Sequence, residues 1–140
     1  MKKTAEVFSL IGIIEGFVTA FVWITLAIVS FVMGSGILDA EIIKAVNEGR
    51  IVVDPPMTPQ QVAQMIDAAC IAVGVMFILF APFSVASGVL SIFGRKALVA
   101  EDSTLKTKSI LNIVFGVLGC NATGVVGGIL SVIYATKNKL

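Results

Sequence analysis

Histidine is absent from the 140-residue chain, and cysteine and charged residues are scarce. Without histidine the chain lacks the commonest metal ligand and the usual general base, so we expect no metal centre and no enzyme active site. It has no glycine-rich phosphate loop or nucleophile elbow, so we expect no cofactor. Cys70 and Cys120 lie in apolar runs without a Cys-x-x-Cys pair, and we expect buried free thiols. A net charge of +1 gives no basic surface for nucleic acid.

The composition of the chain is dominated by apolar residues. They make up 57% of the chain and charged residues 14%, against about 45–50% and about 25% in soluble domains. Three apolar runs, residues 7–33, 68–93 and 110–135, are each long enough for a helix that crosses about 30 Å of hydrocarbon. The sequence therefore predicts an all-α integral membrane helical bundle, a single domain over residues 1–140 with the lipid bilayer around three long spanning helices.

The segment between the first two runs, residues 34–67, is more polar. Residues 37–49 place apolar and acidic side chains on opposite faces, which predicts a short amphipathic helix. Residues 50–56 include two consecutive prolines and predict an extended connector. Residues 58–61 read Thr-Pro-Gln-Gln, with threonine at the N-cap, proline at the first helical position and glutamine at the capping-box position. They predict the start of the second long helix.

The second and third runs each contain an interruption. Pro82 should kink the second helix and free a carbonyl that Ser84 or another helix must satisfy. Gly94 and the two basic residues after it are expected to end that helix, leaving residues 94–109 as a polar connector. In the third run, residues 121–124 read Asn-Ala-Thr-Gly. The helix either continues through this polar stretch or breaks there into a hairpin.

Basic residues predict which side each segment occupies. They concentrate at the amino terminus and in connector 94–109, which should be cytoplasmic, whereas residues 34–67 should lie outside. A straight third span leaves Lys137 and Lys139 outside, and a break at Asn121 returns them to the cytoplasm. Charge favours the break, but about 12 residues on either side of it reach only about 18 Å. We give helix length more weight and expect three spans, leaving open a bend or break of the third near Asn121.

Glu15 is the one charge in the first apolar run. A carboxylate at membrane depth costs several kcal/mol unless it is protonated or partnered, so it needs a reason to be there. As a functional site, Glu15 would bind a proton or cation, or be neutralised by a basic residue of a partner. As a structural site, it would hydrogen-bond Asn112, Asn121 or Thr19 and hold the helices in register. Glu15, Asn112 and Asn121 are therefore the candidate polar site.

Small residues recur at four-residue spacing in the first and third runs. Such ridges let two helix backbones approach closely, which in lipid replaces the missing hydrophobic driving force. We interpret both ridges as helix-packing seams, either within one chain or between chains. The seam residues are Gly12, Gly16 and Ala20 in the first run, and Gly116, Cys120, Gly124 and Gly128 in the third.

The two ends of the chain resemble a family of small bacterial multi-span membrane proteins of unknown function. The resemblance lies in residues 2–6 (Lys-Lys-Thr-Ala-Glu) with the apolar residues 10–14, and in residues 110–118 and 127–130 before a basic tail. The connector from residue 37 to residue 59 departs from that family. The resemblance implies a Gram-positive bacterial protein of the cytoplasmic membrane, and it carries over no functional residue because the family has no agreed activity.

These observations predict a structural or interaction subunit rather than an enzyme. It would pack with copies of itself or with other membrane proteins through the seams and the outer connector. One alternative is a small channel, pore-forming protein or transporter accessory protein in which Glu15 faces a wet path. Another is an immunity protein that shields a membrane target from a toxin through the outer connector.

Overall fold

A computed structural model describes residues 1–53 and 57–140, and this part of the chain is helical without strands, as predicted. Two of its helices are long and apolar enough to cross a membrane, Lys2–Ile37 and Pro59–Ala100. The elements are α1 (Lys2–Val32) with a π-helical turn (Met33–Ile37), α2 (Asp39–Asn47), α3 (Pro59–Ala100), α4 (Leu105–Leu118) and α5 (Ala122–Lys137). They divide into two compact units, a first unit of Met1–Trp23 with Leu79–Leu140 and a second unit of Ile24–Ile78.

The second unit contains the predicted amphipathic helix. Gly36, at φ 81°, ends the π-helical turn in a left-handed conformation that glycine adopts readily. Helix α2 follows, and its apolar face buries Ile42 against Val62 and Ala63 of α3. Its first turn carries Asp39 and Glu41, where the helix dipole favours acidic residues.

The predicted capping box at the start of α3 is confirmed. The Gln61 N–H donates to the Thr58 hydroxyl at 3.3 Å, and the Thr58 N–H donates to the Gln61 side-chain oxygen at 2.9 Å. Proline occupies the first helical position, as expected. Of the extended connector predicted over residues 50–56, residues 54–56 lie outside the described residues.

Helix α3 does not end at Gly94 as predicted. It runs without a break through Pro82 and continues to Ala100, and Glu101 follows in a left-handed conformation at φ 54°. A glycine within a helix costs only about 1 kcal/mol. That cost is outweighed here because Leu98 packs in the core of the first unit, where it is completely buried. The predicted kink at Pro82 stays a prediction.

The third run, residues 110–135, for which a spanning helix was predicted, forms two helices and not one. The chain breaks after Leu118, and α4 and α5 pack against each other as an antiparallel hairpin. The Asn112 amide, for example, donates to the Gly124 carbonyl at 3.0 Å. The break near Asn121 that the sequence left open is therefore present. The polar connector is also shorter than predicted, because only residues 101–104 lie between α3 and α4.

Burial in the first unit favours small and polar residues over large apolar ones. Large apolar side chains lie outside instead. Examples on α1 are Ile14, Val18 and Phe21, which are 60%, 56% and 71% exposed. The same pattern continues along α3, where Met76 and Leu79 are more than half exposed. The buried polar residues are Ser9, Ser84, Ser87, Ser91, Ser109, Asn112, Asn121 and Ser131.

Candidate functional site

The turn between α4 and α5 brings the three candidate polar residues into one cluster. We define the turn cluster as Glu15, Ser87, Asn112, Asn121 and Thr123. Its members come from α1, α3, α4 and the start of α5, all within the first unit. Sequence analysis named Glu15, Asn112 and Asn121 without predicting that they would meet around the break in the third run.

The turn itself is a Schellman motif. The Asn121 N–H donates to the Gly116 carbonyl at 2.8 Å, and the Cys120 N–H donates to the Val117 carbonyl at 3.4 Å. The position that glycine usually occupies in this motif is held by Cys120, at φ 55°. The predicted burial of Cys120 is wrong, because the left-handed turn leaves its side chain exposed. Cys70 is half-buried, and both cysteines are free thiols.

Asn121 is the central residue of the turn cluster. Its side-chain oxygen accepts from the Gly124 N–H at 2.8 Å and so caps the start of α5. Its amide donates to the Gly12 carbonyl of α1 at 2.8 Å and to the Ser87 hydroxyl of α3 at 2.9 Å. The side chain is completely buried. One residue therefore caps a helix and joins it to two others.

Glu15 binds the same helix end from α1. Its carboxylate accepts from the Ala122 N–H at 3.1 Å, from the Thr123 N–H at 2.8 Å and from the Thr123 hydroxyl. Free N–H groups at a helix start carry partial positive charge, so they stabilise a carboxylate there. These donors differ from the partners suggested for Glu15, namely Asn112, Asn121 or Thr19, because the break exposes backbone N–H groups that a continuous helix would have used internally.

Asn112 connects α4 to a ridge of serines on α3. Its side-chain oxygen accepts from the hydroxyls of Ser87 at 3.3 Å and Ser91 at 3.1 Å. One turn before Ser87 on α3, the Ser84 hydroxyl donates to the Gly119 carbonyl at 2.6 Å. Sequence analysis missed this ridge, although serines at positions 84, 87 and 91 recur at the spacing of one helix face.

The predicted seams pack within the chain. A Cβ on Gly12 would lie 2.7 Å from the Gly124 Cα, so α1 and α5 meet backbone to backbone there. Gly16 makes a similarly close approach to Gly88 of α3. The two ridges thus meet each other only at Gly12 and Gly124. Beyond that point the ridge of α1 packs against α3.

The other two seam glycines of the third run, Gly116 of α4 and Gly128 of α5, lie where these two helices meet. A Cβ on Gly128 would lie 3.0 Å from the Ser109 carbonyl oxygen, and one on Gly116 would meet the Val125 side chain at 2.7 Å. Ala20 of the first ridge is buried. Cys120, the remaining predicted seam residue, is exposed in the turn.

A separate polar group lies where the ends of α1, α3 and α5 meet. The Lys2 ammonium and the Tyr134 hydroxyl each donate to the Glu101 carboxylate at 2.8 Å. The hydrogen bond from Lys2, followed by that from Tyr134, lowers the pKa of Glu101 below its ordinary 4.5. In the same connector, the N–H and hydroxyl of Thr104 lower the pKa of Asp102 below its ordinary 3.8.

The chemistry of the turn cluster is that of hydrogen bonding. Among residues 1–53 and 57–140, no three histidine, cysteine, aspartate or glutamate side chains converge in a way that could hold a metal ion. Both Glu15 carboxylate oxygens already accept protein donors. The arrangement is therefore suited to locking the tip of the hairpin onto α1 and α3.

Comparison of the chain with protein-family models, curated proteins and solved structures finds no match. Its function must be inferred from its own geometry.

Proposed function

We propose that the chain is an integral membrane helical bundle that serves as a structural or interaction subunit and not as an enzyme. The observation that carries this proposal is the burial pattern, in which serine, asparagine, glycine and alanine lie inside while large apolar side chains lie outside. In a soluble protein, serine and asparagine are mostly exposed and large apolar side chains are mostly buried.

The exposed apolar surface supports lipid as the surrounding solvent. In each of the two long helices, only 17% of the most apolar 18-residue stretch is buried within the chain, whereas the core helix of a soluble protein is mostly buried. Soluble monomers rarely expose contiguous apolar patches larger than a few hundred Å². In a bilayer the same side chains need no protein cover, and interior packing then depends on small residues and polar contacts.

In the proposed arrangement α1 and α3 cross the bilayer, and α4 and α5 enter and return on one side. Glu15 lies about eight residues into the apolar run, about 12 Å from its start. Non-helical backbone at such depth is tolerated only where protein or water satisfies it. Glu15 and Asn121 supply those hydrogen bonds to the hairpin tip.

This arrangement also satisfies the charge rule. With a hairpin, Lys137 and Lys139 lie on the same side as Lys2 and Arg95, which the positive-inside rule assigns to the cytoplasm. Residues 34–67 then lie outside. The proposal keeps the assignment to the bacterial cytoplasmic membrane that the family resemblance implied.

Partner contacts must use surfaces other than the seams, because Gly12, Gly124 and Gly128 already face neighbouring helices of the same chain. The surfaces that remain are the apolar faces of α1 and α3 and the exposed acids Glu41, on α2, and Glu48, just after it. We propose that a second copy of the chain or another membrane protein packs there.

Topology can be tested by labelling single cysteines in a Cys70→Ser, Cys120→Ser background. A membrane-impermeant maleimide should label Glu48→Cys in intact cells and Lys139→Cys only after permeabilisation. Labelling of both positions in intact cells would contradict the hairpin and favour a third crossing.

The membrane and subunit roles need separate measurements. The chain should stay in membranes through an alkaline wash and require detergent for extraction. Crosslinking in the native membrane, followed by purification and mass spectrometry, should recover a stoichiometric protein partner or a dimer. A monodisperse chain in plain buffer would refute the membrane role, and a chain that crosslinks to nothing would refute the subunit role.

A further inference from the structure

A groove of about 390 Å³ lies in the first unit, on the side of α1 that faces the last turns of α3. It has an apolar part and a basic part. Its lining residues are Ile13, Ile92, Arg95, Lys96, Val99 and Ala100.

Neither cation in this groove has a carboxylate partner among residues 1–53 and 57–140. Salt bridges in the described part of the chain use Lys2, Arg50 and Lys108, and none involves Arg95 or Lys96. The Nε of Arg95 is buried and has no hydrogen-bond partner in the part of the chain that the structure describes. A buried donor without an acceptor is unfavourable, and most such groups in proteins are satisfied by a partner, water or ligand.

The remaining lining is aliphatic. Ile13 and Ile92 are half-buried, and Val99 is exposed, so the groove opens on an apolar surface. A free inorganic anion would use the cations and leave this apolar wall without a role. An amphiphile with an anionic head and a hydrocarbon tail would use both parts.

We propose that the groove binds one anionic phospholipid, with its phosphate on Arg95 and Lys96 and part of an acyl chain along Ile13 and Ile92. This inference rests on the proposed membrane role. Most residues that line the groove belong to the last turns of α3. This end of α3 is followed by Glu101, which pairs with Lys2 of the amino terminus, and the proposed topology places that terminus in the cytoplasm. Basic pockets between membrane helices on the cytoplasmic side are the sites where anionic head groups bind.

Binding can be measured by native mass spectrometry of the full chain in detergent, titrated with phosphatidylglycerol or phosphatidylcholine of identical acyl chains. The wild type should prefer phosphatidylglycerol about tenfold or more, because the choline cation of phosphatidylcholine cancels the charge of its phosphate and is repelled by Arg95 and Lys96. Arg95→Gln with Lys96→Gln should abolish the preference. Equal binding of both lipids by the wild type would overturn the proposal.

A matched control removes two exposed cations elsewhere, by Lys106→Gln with Lys139→Gln. This variant should keep the preference, and its loss would mean that net charge rather than the groove selects the lipid. If the groove double variant misfolds by circular dichroism, Arg95→Lys provides a milder test. It should retain the preference with weaker binding, and undiminished binding would count against a guanidinium contact.

Two further arms separate lipid from other ligands. Ile92→Ala should weaken binding of long-chain phosphatidylglycerol and leave that of the dihexanoyl form unchanged, and an equal effect on both would refute the acyl contact. Inorganic phosphate at millimolar concentration should not displace the long-chain lipid, and displacement would assign the groove to a free anion. A chain that needs detergent but shows no lipid preference would refute this inference alone, whereas a chain soluble without detergent would refute the membrane role.

Discussion

The carboxylate of Glu15 accepts hydrogen bonds from the backbone N–H and the hydroxyl of Thr123, 108 residues further along the chain. Glu15 thereby supplies from α1 the acceptors that the free N–H groups at the start of α5 require. Glu15, the one charge in the apolar run of α1, is thus bound to the start of α5, which is exposed by the break in the third run.

Glu15→Gln should destabilise the chain by about 1–3 kcal/mol. Glutamine retains one acceptor oxygen, but its NH2 group faces donors and its neutral amide loses the attraction to the helix end. Unfolding in detergent, followed by circular dichroism, measures the loss. Glu41→Gln, which removes an exposed carboxylate on α2, should cost a few tenths of a kcal/mol. Unchanged stability of Glu15→Gln, combined with loss of a pH-dependent ion flux in liposomes, would favour the channel alternative.

Asn121→Ala should be more damaging, with a loss of about 2–4 kcal/mol. The change leaves the Gly124 N–H, the Gly12 carbonyl and the Ser87 hydroxyl without their buried partner. Asn138→Ala is the matched control, because Asn138 makes an exposed bond to the Tyr134 carbonyl at the end of α5. Similar midpoints for the two variants in the same denaturation experiment would mean that Asn121 does not hold the hairpin tip.

Gly12→Ala and Gly94→Ala should have opposite effects. A Cβ on Gly12 meets the Gly124 backbone at 2.7 Å, which neither helix can relieve without moving, so we expect a loss of about 1–3 kcal/mol. A Cβ on Gly94 meets nothing within 4 Å, and alanine should stabilise α3 by about 0.5–1 kcal/mol. Thermal midpoints of the two variants give the comparison. A neutral Gly12→Ala would show that α1 and α5 are not in close contact.

Cys120→Gly should raise stability by about 1 kcal/mol, because it relieves a side chain held in the left-handed region. Cys120→Ala removes the thiol and keeps the Cβ, so it should give no gain. Thermal unfolding under reducing conditions compares the two. Equal stabilisation by both variants would attribute the effect to loss of the thiol and not to the backbone.

Acid should weaken the contacts in the connector between α3 and α4. Glu101 and Asp102 have pKa values below their ordinary 4.5 and 3.8, so their contribution to stability is complete above those values and is lost as the pH falls through the lowered ones. The thermal midpoint should hold between pH 7 and about pH 5 and fall below about pH 4.5. Glu101→Gln should reduce that fall, whereas Glu41→Gln should leave it intact. An unchanged profile for Glu101→Gln would exclude the Lys2–Glu101 pair as its source.

Local signals predicted local structure well. The capping box at residues 58–61 and the amphipathic pattern at residues 37–49 depend on neighbours a few positions away, and both appear in the structure. The four-residue spacing of glycines likewise located surfaces of close approach. It did not identify the helix that each glycine contacts, because periodicity fixes a face and not its neighbour.

The sequence predicted a third span over residues 110–135, where the structure has a hairpin. Length favoured it because a helix of about 12 residues cannot cross a bilayer. That criterion assumes that every apolar helix must reach the far side. The hairpin avoids the requirement, because Glu15 and Asn121 satisfy its tip within the protein. The charges of Lys137 and Lys139 favoured the hairpin. The serines of α3, which hydrogen-bond Asn112 and Gly119 of the hairpin, were a second indication that sequence analysis did not use.

The order of residues within the two units has a consequence for synthesis. The second unit is one uninterrupted stretch, Ile24–Ile78, so a growing chain holds all of its residues before α4 and α5 are made. The first unit joins both ends of the chain, and its contact between Asn121 and Gly12 spans 109 positions. Until the ribosome has passed Asn121, the Gly12 carbonyl lacks the side-chain amide that donates to it in the native structure. A product truncated before Asn121 would leave α1 without this hydrogen bond.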